Sequence, residues 1–103
     1  MLKKNYVGEE GGLVIPAGEL HSDAIPREMY MQTTFHCPSA EIEVYVSNMQ
    51  VPDCSDDSQD WECIATPSKL SWVTHPFKWM RAKLTEPADG DVTVYILSGP
   101  QVM

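Results

Sequence analysis

The chain is short of positive charge, of paired cysteines and of long apolar runs, and each shortage excludes something. Only 7 Lys and Arg stand against 15 Asp and Glu, a net charge of −8. A surface with that balance repels phosphate, so nucleic acid is not an expected partner. Of the basic residues only Lys78, Arg81 and Lys83 cluster. Cys37, Cys54 and Cys63 are odd in number and lack Cys-x-x-Cys spacing, which argues against a disulfide framework or a structural zinc site. Synthesis in a reducing cytoplasm is the simplest expectation. No apolar run approaches the length of a membrane span, and the opening MLKK has no signal-peptide core behind it. No stretch shows sustained helical spacing, and the 8 prolines would interrupt one. No nucleophile and base pair or phosphate loop stands out, so neither an enzyme nor a cofactor is expected.

What is present is strand patterning. A chain of 103 residues makes one domain, and 43% hydrophobic residues suffice for one thin core. From Met29 the period is two: Met29, Met31, Thr33, Phe35 and Cys37 share one face. In AEIEVYVSNM, Ile42, Val44 and Val46 alternate with Glu41, Glu43, Tyr45 and Ser47, as in an antiparallel sheet with one wet face. VPDCSDDSQDW is turn chemistry, because short Asp and Ser side chains bond nearby backbone. WECIAT reads as a strand, PSKLSWVTHP as a loop with one short strand. FKWMRAKLT places Met80, Ala82 and Leu84 opposite Trp79, Arg81 and Lys83; DVTVYIL places Val92, Val94 and Ile96 opposite Thr93, Tyr95 and Leu97. With the turn at Asp89 and Gly90 between them, these two are expected to pair as a hairpin. Short strands punctuated by turns predict an all-β fold, a single antiparallel β-sandwich or jelly-roll-like domain over residues 29–103.

Residues 1–28 hold four of the 6 glycines and little periodicity, so they read as an extended N-terminal arm. Its Leu13, Val14, Ile15, Leu20 and Ile25 are too apolar for a free tail and are expected against this subunit's sheet or a neighbour's.

Ser55, Asp57 and Trp61 form a Ser-x-Asp-x-x-x-Trp loop, followed by Trp79, Met80, Arg81 and Ala82, then Gly90 and the strand VTVYIL. In these features the chain, over roughly residues 29–98, resembles small bacteriophage virion proteins of the capsid decoration or cement type. The resemblance implies a non-enzymatic structural protein on the capsid exterior, made in the host cytoplasm. Its implied partners are the major capsid protein and other copies of itself, with no nucleic acid and no membrane. Similar β-domains occur in phage head fibres and tails, so a host-surface or carbohydrate-binding module is the rival expectation.

The remaining constellations have plainer readings. Asp53, Asp56, Asp57, Asp60 and Glu62 lack EF-hand spacing and read as a solvated turn, without metal. Cys54 and Cys63 are expected as free thiols at a sheet edge. Cys37 is expected buried, on the face opposite His36. His21, His36 and His75 lie in separate regions. Trp61 is expected in the core and Trp79 at the surface, with Arg81 pairing an acid such as Glu43 or reaching another subunit. Leu13, Val14, Ile15, Leu20, Ile25, Trp79 and Arg81 are therefore the candidate capsid or subunit interface, the arm adding a strand to a neighbour's open edge.

Overall fold

A computed structural model of the chain describes residues 8–100. Its eight strands are β1 (Glu9–Ile15), β2 (Ile25–Pro26), β3 (Gln32–His36), β4 (Ile42–Ser47), β5 (Glu62–Ser68), β6 (Leu70–Val73), β7 (Trp79–Leu84) and β8 (Val92–Gly99). They form two antiparallel sheets, in the orders β1-β8-β3-β6 and β2-β7-β4-β5. Strand 1 pairs with 8, 2 with 7, 3 with 6 and 4 with 5, as if one long hairpin had been rolled up. That is the strand order of a jelly roll.

The alternation read from the sequence decides what lies between the sheets. Phe35 and Cys37, then Ile42, Val44 and Val46, then Met80, Ala82 and Leu84, then Val92, Val94 and Ile96 all face inward and are buried. Burying each large apolar side chain contributes about 1.5 to 3 kcal/mol relative to exposure. The molecule measures 20 Å in its shortest extent, as two sheets about 10 Å apart with their outer side chains require. One polar contact enters the first sheet: the Thr33 and Ser98 hydroxyls, on paired positions of β3 and β8, lie 2.8 Å apart and satisfy each other in the dry interior.

The N-terminal stretch lies against this subunit's own sheets, one of the two placements expected for its apolar residues, and does so as sheet strands instead of an extended arm. β1 pairs with β8 along all seven of its residues, and Leu13 and Ile15 belong to the buried core. After β1 a turn closes with a Glu19 N–H to Pro16 C=O bond of 3.0 Å; Gly18 sits in it at φ 80°, where a Cβ would be strained. The chain then runs beside β7: the Leu84 N–H donates to the Leu20 carbonyl, His21 bridges Lys83, and the Ser22 N–H donates to the Ala82 carbonyl. The part of residues 1–28 that is described is thus an edge of each sheet, and residues 1–7 lie outside the described residues.

A second correction concerns β7 and β8, which sit in different sheets instead of pairing as a hairpin. Their connection crosses from one layer to the other and is tied to the 16–19 turn. The Ala17 N–H donates to Asp91 Oδ1 and the Gly18 N–H to the Ala88 carbonyl, each at 2.9 Å. Two rows of inward apolar residues fit either topology, so alternation alone does not say which sheet a strand joins.

Candidate interaction surfaces

On the outer face of the second sheet, the residues between β4 and β5 fold back as a strap, and Arg81 holds it. Its Nη1 donates to the Cys54 carbonyl at 2.9 Å and its Nη2 to the Ser55 carbonyl at 3.3 Å. The guanidinium carbon lies 4.5 Å from the centroid of the Trp61 ring, within cation–π range. Trp61 in turn donates from Nε1 to the Asp53 carbonyl at 2.8 Å, and Asp60 Oδ2 accepts from the Asp53 N–H at 2.8 Å. Arg81 is consequently buried at 2% exposure. In the isolated chain it is a buried side chain and not an exposed interface residue: its two terminal nitrogens donate to strap carbonyls, while Nε is buried without a hydrogen-bond partner. Trp61 is buried as expected, though under the strap and outside the central apolar cluster.

A small polar cavity of about 220 Å³ remains between strap and sheet, lined by His21, Tyr45, Asp56, Gln59, Arg81 and Lys83 among others. His21 Nδ1 donates to Asp56 Oδ1 at 2.6 Å, a second tie between strap and sheet. Burial lowers the His21 pKa below the ordinary histidine value, the Asp56 hydrogen bond opposing it and the Arg81 charge adding to it. Burial, then the Glu43 charge, raises Tyr45, whose ring lies 5.6 Å from Lys83 Nζ. Asp53 is held below the usual carboxylate range by the Ser55 hydroxyl and N–H. The cavity is a balance of opposite charges, already largely partnered. Among the described residues no group of three or more His, Cys, Asp or Glu is placed to hold a metal ion. Cys54 and Cys63 are exposed free thiols and Cys37 is buried, and His36 is exposed on the opposite side of its strand.

The outer face of the first sheet has a different character. Val14 on β1, Tyr95 and Leu97 on β8, and Leu70 and Trp72 on β6 are all exposed, Trp72 at 62%. Register makes them neighbours: Tyr95 pairs with Gly12 on one side and His36 on the other, His36 with Leu70, and Thr34 with both Leu97 and Trp72. A shallow groove of about 520 Å³ runs over Gly12, Thr34, His36 and Tyr95. These exposed apolar side chains on one sheet make this face the candidate interaction surface.

Of the candidate interface residues, Val14 alone points freely outward on this face. Leu13 and Ile15 are core residues, Leu20 and Ile25 are half-buried with Ile25 against the core, and Trp79 is half-buried on the other sheet beside Pro26 and Ser47. The most exposed aromatic on this face, Trp72, lies outside that candidate set; in the sequence it reads only as one of several aromatics, with Trp61, Trp79, Tyr45 and Tyr95, that could form a binding platform or an interface hot spot. Its alternation with buried Ser71 and Val73 was a signal, but the segment around it reads mostly as loop.

No family model, curated protein or solved structure matches the chain.

Proposed function

We propose that this chain is a non-enzymatic bacteriophage virion protein, a decoration or cement subunit that binds the outer shell between major capsid proteins and stabilises it. The observation that supports the reading is the exposed apolar face of the β1-β8-β3-β6 sheet, with Trp72, Tyr95 and Leu97 set on a stiff scaffold. Aromatic anchors on a preformed surface bind at low ordering cost. Many copies, each weakly bound across a seam, would strengthen a shell because the seam opens only when several contacts break together. Jelly rolls recur among viral capsid domains. The subunit would then be made in the host cytoplasm and reside on the capsid exterior, with other copies of itself nearby.

The test is a copy count by quantitative mass spectrometry in density-purified particles, paired with Trp72→Ser. Hundreds of copies, lost on substitution while the isolated protein stays folded, are expected. Absence from particles, or full occupancy by the variant, would sink the reading.

A second reading, a carbohydrate-binding module of a head fibre or tail, is favoured by one observation. Trp72 and Tyr95 flank Thr34 and His36 on that face, so rings that could stack on a sugar border groups that could bond its hydroxyls. A glycan array separates the two: a specific glycan hit that Tyr95→Ala removes supports this reading, and no hit removes it.

A further inference from the structure

We infer that β1 is a self-pairing edge, through which two copies of the chain join their β1-β8-β3-β6 sheets into one continuous sheet of twice the width. The jelly roll leaves four sheet edges, and three of them carry a recognisable guard against strand addition. β2 is two residues long and contains Pro26. β5 contains Pro67 and is irregular, with register shifts between Ile42 and Val44 and between Val44 and Tyr45 on its partner. β6 is four residues long, and Lys69 precedes it. β1 lacks the proline, the irregularity and the shortness of those edges, and its two charges, Glu9 and Glu10, both stand at its first end. It is seven residues long, in unbroken register with β8, without proline, lysine or a bulge, and no strand among the described residues lies on its other side. Every second residue of such an edge turns its backbone N–H and C=O outward, where another strand can accept them.

The occupant that fits is β1 of a second copy, running antiparallel about a two-fold axis. The register that overlaps all of β1 centres on Gly12, so that Gly12 meets Gly12, Gly11 meets Leu13, and Glu10 meets Val14. No Glu10 then faces Glu10, whereas a parallel addition in register would set like charges side by side. The side chains suit this register. A Cβ built on Gly11 would meet nothing within 4 Å, which leaves room beside the partner's Leu13. The bare Gly12 pair is flanked on each side by Tyr95, its cross-strand neighbour on β8, so the two rings can close over the glycines as aromatics do beside strand glycines. Val14, exposed at 49% in one copy, would be covered, and the two apolar outer faces would become one. The pairing is isologous, as a two-fold dimer demands.

The isolated chain should sediment with a mass twice 11.6 kDa at high concentration and dissociate on dilution. Val14→Glu would oppose Glu10 of the other copy twice and should weaken dimerisation at least tenfold; adding Glu10→Lys should restore it. Gly12→Cys, in a background with Cys54→Ser and Cys63→Ser, should oxidise to a covalent dimer, since paired Cα atoms about 4.5 to 5.5 Å apart lie within disulfide range. The substitution fits the fold, because a Cβ there meets Thr93 Cγ2 at 3.6 Å. A monomer at every concentration overturns the inference, even if β1 proves to pair with a capsid strand instead. So does a dimer that ignores Val14→Glu and leaves Gly12→Cys uncrosslinked. These measurements need no virion, so a failed decoration reading and a failed dimer are told apart.

Discussion

Arg81 and Trp61 form the hinge pin of the second sheet's outer face: the guanidinium carbon sits 4.5 Å from the ring centroid while two strap carbonyls accept its protons. An arginine at 2% exposure would be costly if unpartnered, so the strap and the side chain fold as a unit.

Arg81→Ala should therefore lower stability by about 2 to 4 kcal/mol, because it strands the Cys54 and Ser55 carbonyls and uncovers Trp61. Arg81→Lys should recover only part, since an ammonium cannot serve two carbonyls in a planar fork. Urea melts give the stabilities, and a red shift of Trp61 emission reports the freed strap. A variant as stable as the parent would refute the clamp.

Ile15→Ala should cost about 2 to 4 kcal/mol and Val14→Ala less than about 0.5 kcal/mol. Adjacent residues of one strand differ this way because Ile15 is fully buried and Val14 faces out. Equal, small effects in urea melts would mean that β1 does not contribute Ile15 to the core.

Those two residues show how far the sequence could be read. The alternation of β4 and β8 announced strands and their inward faces, because each half-buried strand carries its own period of two. β1 carried only Leu13 and Ile15 as inward markers among glycines and glutamates, and its partner β8 lies some eighty residues downstream. Nothing local reports such a pairing. The strap was legible as a turn, but the burial of Arg81 depends on carbonyls 26 and 27 positions earlier, so the side chain reads as a surface cation until the strap is in place.

His21 sets a pH dependence. Its folded pKa is depressed, chiefly by burial, so the unfolded chain binds the proton more readily. Stability should be fully present above the unfolded histidine value, near 6.5, and fall as pH drops through that value towards the lower folded pKa. His21→Gln should flatten this part of the profile, read as urea midpoints between about pH 7 and 5. An NMR titration placing the His21 midpoint above 6.5 would contradict the assignment.

Thiol labelling should give two rapid equivalents, Cys54 and Cys63, and a third only on unfolding, because Cys37 is fully buried. Fast labelling of Cys37 in the native protein would mean that the interior opens there far more often than its packing allows.

The placement of β8 between β1 and β3 governs the order of events during synthesis. Until the residues of β8 leave the ribosome, β1 has no partner and the first sheet lacks its central strand, while β4 and β5, neighbours in sequence, can pair early. The nascent chain must wait with the inner face of β1 uncovered, and β1 can join the sheet only once β8 has paired beside β3. Folding should accordingly be slow for a chain of this length, and crowding of nascent copies in a heavily expressing cell would favour pairing between chains before pairing within one.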